Sequence, residues 1–284
     1  MRPDVEQLAE VGRAAGGGGE PAVLYDRHGV LVVRVGDVVV KSHQEDREAG
    51  DALARRLVVA AALPGIALPP LAPPRTVDGT AVTVWPYGEP VAPERPPWAD
   101  AGRLLAALHR ADVPDGTPQR ARRDRVERLV ARLGDGEDAD TVRAAFRTLK
   151  PEQQEEHTSL VHGDWHLGQL VNHQNRWLLI DVEDLGTGDP AWDLARPAAL
   201  YLGGVLAPAA WNEFVTAYRA AGGPVADGDD ATLWTRLDEP ARTLAIQIAA
   251  TCVQSAREQH REPDTAEAAM VAACGRIAAM ATGT

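Results

Sequence analysis

In this 284-residue chain, the side chains best placed to do chemistry cluster in Leu160-Val161-His162-Gly163-Asp164-Trp165-His166-Leu167-Gly168-Gln169-Leu170-Val171. A second apolar run, Trp177-Leu178-Leu179-Ile180, follows and ends in Asp181-Val182-Glu183-Asp184. His173-Gln174-Asn175-Arg176 reads as a turn, so the spacing predicts a hairpin that draws the segment around Asp164 and Gln169 toward Asp181. Two carboxylates and an amide meeting there suit a hard cation such as Mg²⁺, which takes oxygen ligands from one or two carboxylates plus phosphates. By period two, Glu183 shares the strand face of Asp181 and is a candidate for a second metal, or else a solvated acid. Each piece also has an ordinary reading. Gly and Asp are turn formers, so a lone His-Gly-Asp is turn chemistry, and Asp181 alone would simply end a strand. His166 and His173 read as solvated or structural. The order of the features (strand, His-Gly-Asp loop, amide five residues on, hairpin to an acid) is what favours function.

The flanking elements follow from patterning. After a glycine run, Gly16 to Gly19, read as a flexible lead-in, three β-branched runs appear: Val23 to Tyr25, Val30 to Val33, and Val38 to Val40. The turn signals between them predict an antiparallel meander ending at Lys41. Glu45 to Leu63 has helical periodicity and stops at Pro64-Gly65. Val77 to Trp85, with Asp78-Gly79 at a turn, supplies two more strands. Five prolines between Pro86 and Pro97 suit a stiff connector better than a helix or a strand. Trp98 to His109, Arg123 to Leu133, and the chain from Trp192 onward read as helices. The expected architecture is α+β: a small antiparallel β-rich lobe, residues 1–88, and a larger, mainly helical lobe, residues 89–284.

Composition narrows the function classes. An apolar fraction of 45%, 25% charged residues and a mean hydropathy of -0.23 are those of a globular chain. A net charge of -12 argues against a nucleic-acid partner and leaves room for cationic ligands. The N-terminus shows no apolar h-region, and the run Leu57 to Leu68 is broken at Pro64-Gly65. No membrane partner and a cytoplasmic location are therefore expected. Cys252 and Cys274 read as small buried hydrophobes. Of 29 basic residues only Lys41 and Lys150 are lysine, which singles out Lys41 at its strand end; the alternative is an edge-strand solubility lysine.

His162 to Gln169 resembles the catalytic loop of the aminoglycoside phosphotransferase and choline kinase superfamily, small-molecule kinases of protein-kinase-like fold. Ile180 to Ala195 is similar to that family's metal-binding segment and following helix, and Gly102 to His109 to its interlobe helix. The resemblance implies ATP or GTP with Mg²⁺ as cofactors. It makes His162 and Asp164 the catalytic residues, with Asp164 orienting the acceptor hydroxyl, and Asp181 the metal ligand. Gln169 stands where the family usually has asparagine; a glutamine in this slot is similar to the maltokinase and glucosamine kinase branches. Lys41 would contact the nucleotide phosphates, paired with Glu48 or, in another register, Glu45. Trp85 and Tyr87 would form a hinge for the nucleobase edge, or pack between lobes. Asp189 and Asp193 resemble residues that brace the loop.

From residue 200 onward ten acids face six bases. That excess fits either a solvated surface or a cleft for a polyamine, so the expected partner is a small-molecule hydroxyl acceptor, an aminoglycoside or other amino sugar. Trp211, Trp234 and Tyr218 would stack on such a ligand or sit in the core. The competing readings are a regulatory nucleotide-binding pseudokinase and a kinase of maltose, choline or a nucleoside antibiotic. A monomer or a homodimer is compatible with all of them.

Overall fold

The computed structural model describes residues 2–27, 29–44, 51–120, 125–150 and 158–282. The chain packs as two compact units that interleave in sequence. The first comprises Met1–Pro96, Ala111–Gln119 and Leu167–Gly186; the second comprises Pro97–Arg110, Arg120–His166 and Thr187–Thr284. The chain thus first leaves the β-rich unit after Pro96, eight residues beyond the expected boundary, and the hairpin carrying Gln169 and Asp181 clusters with that unit.

The first unit opens with a helix that the sequence reading overlooked, α1 (Val5–Ala14). Its start is a reciprocal capping box: Gln7 N donates to Asp4 Oδ1 and Asp4 N to Gln7 Oε1, both at 2.9 Å, satisfying two of the helix's orphan donors. The strands β1 (Pro21–Arg27), β2 (Val30–Val35), β3 (Val38–Ser42), β4 (Arg75–Val77) and β5 (Thr80–Pro86) form an antiparallel sheet in the order β1-β2-β3-β5-β4. Alternation sends Leu31, Val33, Val35, Val38, Val40, Val82 and Val84 into a core shared with Leu8, Ala9 and Val11 of α1. The same alternation puts Lys41 on the face opposite Val40, between Val32 and Thr83 of the neighbouring strands. The glycine run is not an idle lead-in. A Cβ on Gly17 would come within 2.5 Å of Val35 O, so chain and sheet touch there backbone to backbone.

Of the helix expected from Glu45, the described part is α2 (Asp51–Ala61); Glu45 and Glu48 lie outside the described residues. The proline-rich connector is not wholly irregular: β6 (Glu89–Pro90) pairs with β8 (Leu170–His173), Glu89 opposite Asn172. Such an edge position tolerates proline because no ladder donor is lost. The predicted hairpin forms between β8 and β9 (Arg176–Leu179). Its two-residue turn, Gln174 (φ 52°) and Asn175 (φ 62°), has the paired positive φ that matches the twist of the flanking strands.

The second unit contains β7 (Ser159–Val161) and the helices α3 (Trp98–Arg110), α4 (Arg125–Ala131), α5 (Glu137–Phe146), α6 (Ala191–Leu202), α7 (Pro208–Ala220), α8 (Asp230–Glu258) and α9 (Thr265–Thr282). Val126, Val142, Ile246, Ala249, Met270 and Cys274 are among its core residues. Cys274 is buried as expected, whereas Cys252 is only half-buried. No helix among the described residues is long and apolar enough to cross a membrane.

Helices α3 and α7 approach closely because residue 102 is glycine: a Cβ there would stand 2.3 Å from Phe214 O and 3.0 Å from Tyr218 N. Backbone cannot yield as a side chain can, so Gly102→Ala is expected to cost about 1–3 kcal/mol in urea denaturation. An unchanged midpoint would contradict this packing.

Candidate active site

In the first unit the chain turns sharply where β9 ends. Ile180 N donates to Gln169 O at 2.9 Å, and Asp181 then adopts a left-handed conformation, φ 58° and ψ 51°. That region costs an L-residue roughly 1–2 kcal/mol, least for Asn and Asp. The left-handed step and the 3₁₀ turn after it, Val182–Asp184, break the period-two relation that put Glu183 on the metal-facing strand. Lys41 Nζ lies 2.7 Å from Asp181 Oδ1 and pairs also with Glu183 Oε1. Gln169 Nε2 donates to Asp181 Oδ2 at 3.1 Å, so the hairpin does join the amide to the acid as expected.

Glu183 is held from a second side. His43 Nδ1 is 2.9 Å from Glu183 Oε1, and its Nε2 is 2.8 Å from Thr83 Oγ1. Trp85 Nε1 donates to Thr83 Oγ1 at 2.9 Å. An indole N–H can only donate, so Thr83 Oγ1 accepts from Trp85 and meets His43 Nε2 with its remaining donor or acceptor capacity. Glu183, 7% exposed at its side chain, is therefore the anchor of Lys41. Of the two sequence readings, a second-metal ligand or a solvated acid, the buried carboxylate departs from the solvated one.

Trp85 and Tyr87 are also used otherwise than expected. Trp85 is buried and starts the relay to Glu183. Tyr87 lies under the Arg34 guanidinium, 3.4 Å from Cζ to the ring centre. Its N donates to Asp37 O and its O pairs with His173 Nδ1, both at 2.8 Å. Both backbone groups of Tyr87 are thus engaged within the protein.

Among the described residues no three His, Cys, Asp or Glu side chains gather as a metal cage. The donor set nevertheless fits Mg²⁺, which dehydrates reluctantly and needs only one or two protein oxygens beside phosphate. The Asp181 carboxylate, on a side chain 30% exposed, and the amide oxygen of Gln169 would be the ones to supply them.

The second unit holds the His-Gly-Asp loop. Asp193, in the first turn of α6 and 1% exposed, accepts from His162 N at 2.6 Å and Gly163 N at 2.9 Å. His109 Nε2 reaches the same carboxylate at 3.1 Å, and His109 Nδ1 meets Tyr218 Oη at 2.8 Å. Burial would push the Asp193 carboxyl up, but the His109 and His162 interactions hold it below the ordinary range. His162, fully buried, thus takes part through its backbone. Tyr218 belongs to this brace, and Trp211 and Trp234 stack on each other and on Tyr201. All three pack within the protein, the core alternative of the sequence reading.

Asp164 itself is gripped at both oxygens, by Arg125 Nη1 on Oδ2 at 2.9 Å and Arg196 Nη2 on Oδ1 at 2.7 Å. Burial raises its pKa, but the two guanidinium charges outweigh burial and leave the carboxyl well below the usual carboxylate range. It is a strong hydrogen-bond acceptor and a weak base. A pocket opens beside it, lined among others by Arg120, Arg125, Arg196, Trp165 and Trp192. Neither Arg125 nor Arg196 is singled out by spacing: in a chain that uses Arg at nearly every basic position, the residue type carries no signal.

The α+β fold is protein-kinase-like, and the family match makes the chain a small-molecule phosphotransferase enzyme. The chain belongs to the phosphotransferase enzyme family (APH), whose profile matches residues 11–240. Among solved structures it is similar to a choline/ethanolamine kinase family protein from Mesorhizobium loti (20% identity, 97% of this chain and 92% of that one, TM-score 0.61). It is also similar to amicoumacin kinase hAmiN in complex with AMP-PNP, Ca²⁺ and Ami (17%, 98% and 94%, TM-score 0.66). A third is a thermostable aminoglycoside phosphotransferase mutant in ternary complex with AMP-PNP and hygromycin B (13%, 98% and 99%, TM-score 0.61). No curated protein sequence gives a significant match.

The depressed pKa of Asp193 carries a pH signature. Its stabilisation is complete above the unfolded carboxylate value, about 3.9, and is lost as pH falls toward the lower folded value. Asp193→Asn should cost about 3–5 kcal/mol near neutrality. The gap to wild type should narrow between about pH 6 and about pH 3 in urea denaturation; a gap constant over that range would contradict the brace.

Proposed function

We propose that the enzyme transfers the γ-phosphate of ATP or GTP to a hydroxyl of a small molecule. The observation that carries this reading is the 2.7 Å ion pair between Lys41 and Asp181, residues far apart in sequence whose pairing makes a cation and a carboxylate available together for a nucleotide's phosphates. Bound Mg²⁺, held by Asp181 and Gln169, would neutralise charge on the phosphate oxygens. Lys41 would hold the nucleotide phosphates, steadied by Glu183 and, behind it, His43. Asp164 would accept the acceptor's O–H hydrogen bond and aim its oxygen in line with phosphorus. With so low a pKa, Asp164 takes little of the proton early, which suits a loose transition state in which positioning matters more than deprotonation. The new bond joins the acceptor oxygen to phosphorus as the bond from phosphorus to the β,γ-bridging oxygen breaks, and the hydroxyl proton leaves by way of Asp164.

An aminoglycoside or amino-sugar acceptor, with a role in antibiotic resistance or in metabolism, draws support from the hygromycin-bound neighbour; a cytoplasmic enzyme would have nucleotide at hand. The pseudokinase reading draws support from the occupancy of both Asp164 oxygens. Acceptor-dependent ADP release separates them: turnover supports the transferase, and nucleotide binding with no turnover across an acceptor panel supports the pseudokinase.

For the transferase, Asp164→Asn should lower kcat by about 10²–10⁴-fold while nucleotide binding holds in the folded variant. Near wild-type kcat would remove Asp164 from the reaction. Lys41→Ala should instead raise the nucleotide KM, and an unchanged KM would contradict its role.

A further inference from the structure

We propose that Gln247 and Thr243, one turn apart on α8, select the acceptor by hydrogen-bonding uncharged hydroxyl groups beside the one that receives the phosphoryl group. The part of the acceptor read there is polyhydroxylated and neutral, as in a sugar or a cyclitol. The inference rests on the reading of Asp164 as the residue that orients the acceptor, because both side chains line the same pocket as Asp164. Residues four apart on a helix share one face, with Cβ atoms about 5–6 Å apart. Helix α8 therefore brings the two polar groups to the pocket together.

The fold makes no use of either group. Gln247 is only 8% exposed. Its backbone oxygen accepts from Thr251 Oγ1, but among the described residues its side-chain amide makes no hydrogen bond, and neither does the Thr243 hydroxyl. A helical threonine commonly returns its hydroxyl to the carbonyl four residues back. Thr235 and Thr251 do so on the same helix, and Thr243 does not. Trp165, 2% exposed and in the same wall, adds an indole N–H that is buried without a partner among the described residues. A buried polar group left unpaired costs about 1–3 kcal/mol, and native proteins keep few of them.

The donor and acceptor character of these groups defines what they fit. The Gln247 amide donates through nitrogen and accepts through oxygen, the Thr243 hydroxyl does both, and the indole only donates. A carboxylate or phosphate oxygen only accepts, which leaves the amide oxygen unanswered. An ammonium only donates, which leaves the amide nitrogen and the indole unanswered. Hydroxyls do both, and two neighbouring ones meet both ends of the amide at once. Val126 and Leu244 in the same wall offer apolar surface to the C–H faces of such a molecule.

The guanidinium groups of the wall are already engaged. Arg125 and Arg196 pair with Asp164, and Arg120 lies over the Trp192 ring at 4.5 Å. Discrimination among acceptors thus falls to the uncharged groups of α8. The competing occupant is water, which can satisfy an amide as well as a hydroxyl does.

The test uses the full-length protein with uncharged polyols (glucose, maltose, myo-inositol, uridine) and two charged counterparts, glucosamine and glucuronate. Binding is measured by calorimetry, and turnover by ADP release with ATP and Mg²⁺. At least one uncharged polyol should bind, and one of its monodeoxy analogues should bind about 10- to 100-fold more weakly, the factor for a buried group left unpaired. Gln247→Leu should weaken the parent polyol by a similar factor and abolish its advantage over that analogue, a coupling that a merely structural role would not produce. Binding of ADP should stay in place. Thr243→Val, at a half-buried position, provides the same cycle should Gln247→Leu fail to fold. Polyol binding unchanged in both variants would leave the two groups to water and overturn the proposal. Failure of every uncharged polyol to bind would overturn it as well, while turnover of glucosamine or glucuronate would still uphold the transferase. Hydroxyl-dependent binding that responds to Gln247→Leu, with no ADP release, upholds the subsite and counts against the transferase.

Discussion

The second unit's chemistry hangs on one buried carboxylate. Asp193, brought inward by the first turn of α6, is a charge almost sealed from water, and it is tolerable there only because three donors converge on it. Two of those donors are consecutive backbone amides of the His-Gly-Asp loop, so the hydrogen bonds that satisfy Asp193 also dictate the loop's shape. Gly163 bends with φ 86°, a conformation that glycine takes without steric penalty. Asp164 is then carried to the pocket by its backbone rather than by its own side chain. His109 and Tyr218 extend the brace into α3 and α7, whose close approach at Gly102 keeps those donors within reach.

Ion pairs assemble differently in the two units. In the first, Lys41 pairs with two carboxylates, Asp181 and Glu183, and His43 links Glu183 to Thr83 and Trp85. In the second, Arg125 and Arg196 both pair with Asp164. The overall net charge of -12 predicts neither arrangement.

What the sequence made legible were the features built from local order. The β8–β9 hairpin was visible in two apolar runs and a turn, and with it the meeting of Gln169 and Asp181. Lys41 stood out because lysine is so rare in this chain. The failures have physical causes. Glu183 was placed by strand periodicity, but β9 ends at Leu179 and Asp181 is left-handed. His43 and Trp85 act through a relay assembled across β3 and β5, which no spacing along one strand reveals. Arg125 and Arg196 meet Asp164 only through the packing of α4 and α6. The helix α1 was there to be read in Asp4-Val5-Glu6-Gln7, a capping box preceding an amphipathic run.

The account turns on the state of Asp164: braced through its backbone, clamped by two arginines and ionised. Carboxyl ¹³C NMR of the labelled protein, assigned by comparison with Asp164→Asn, measures that state directly. The Asp164 resonance should show no titration step in the ordinary carboxylate range near pH 4 and should remain that of a carboxylate for as long as the fold persists on acidification. A resonance that titrates in the ordinary range, or above it as for a general base tuned toward neutrality, would contradict the clamp and the role built on it.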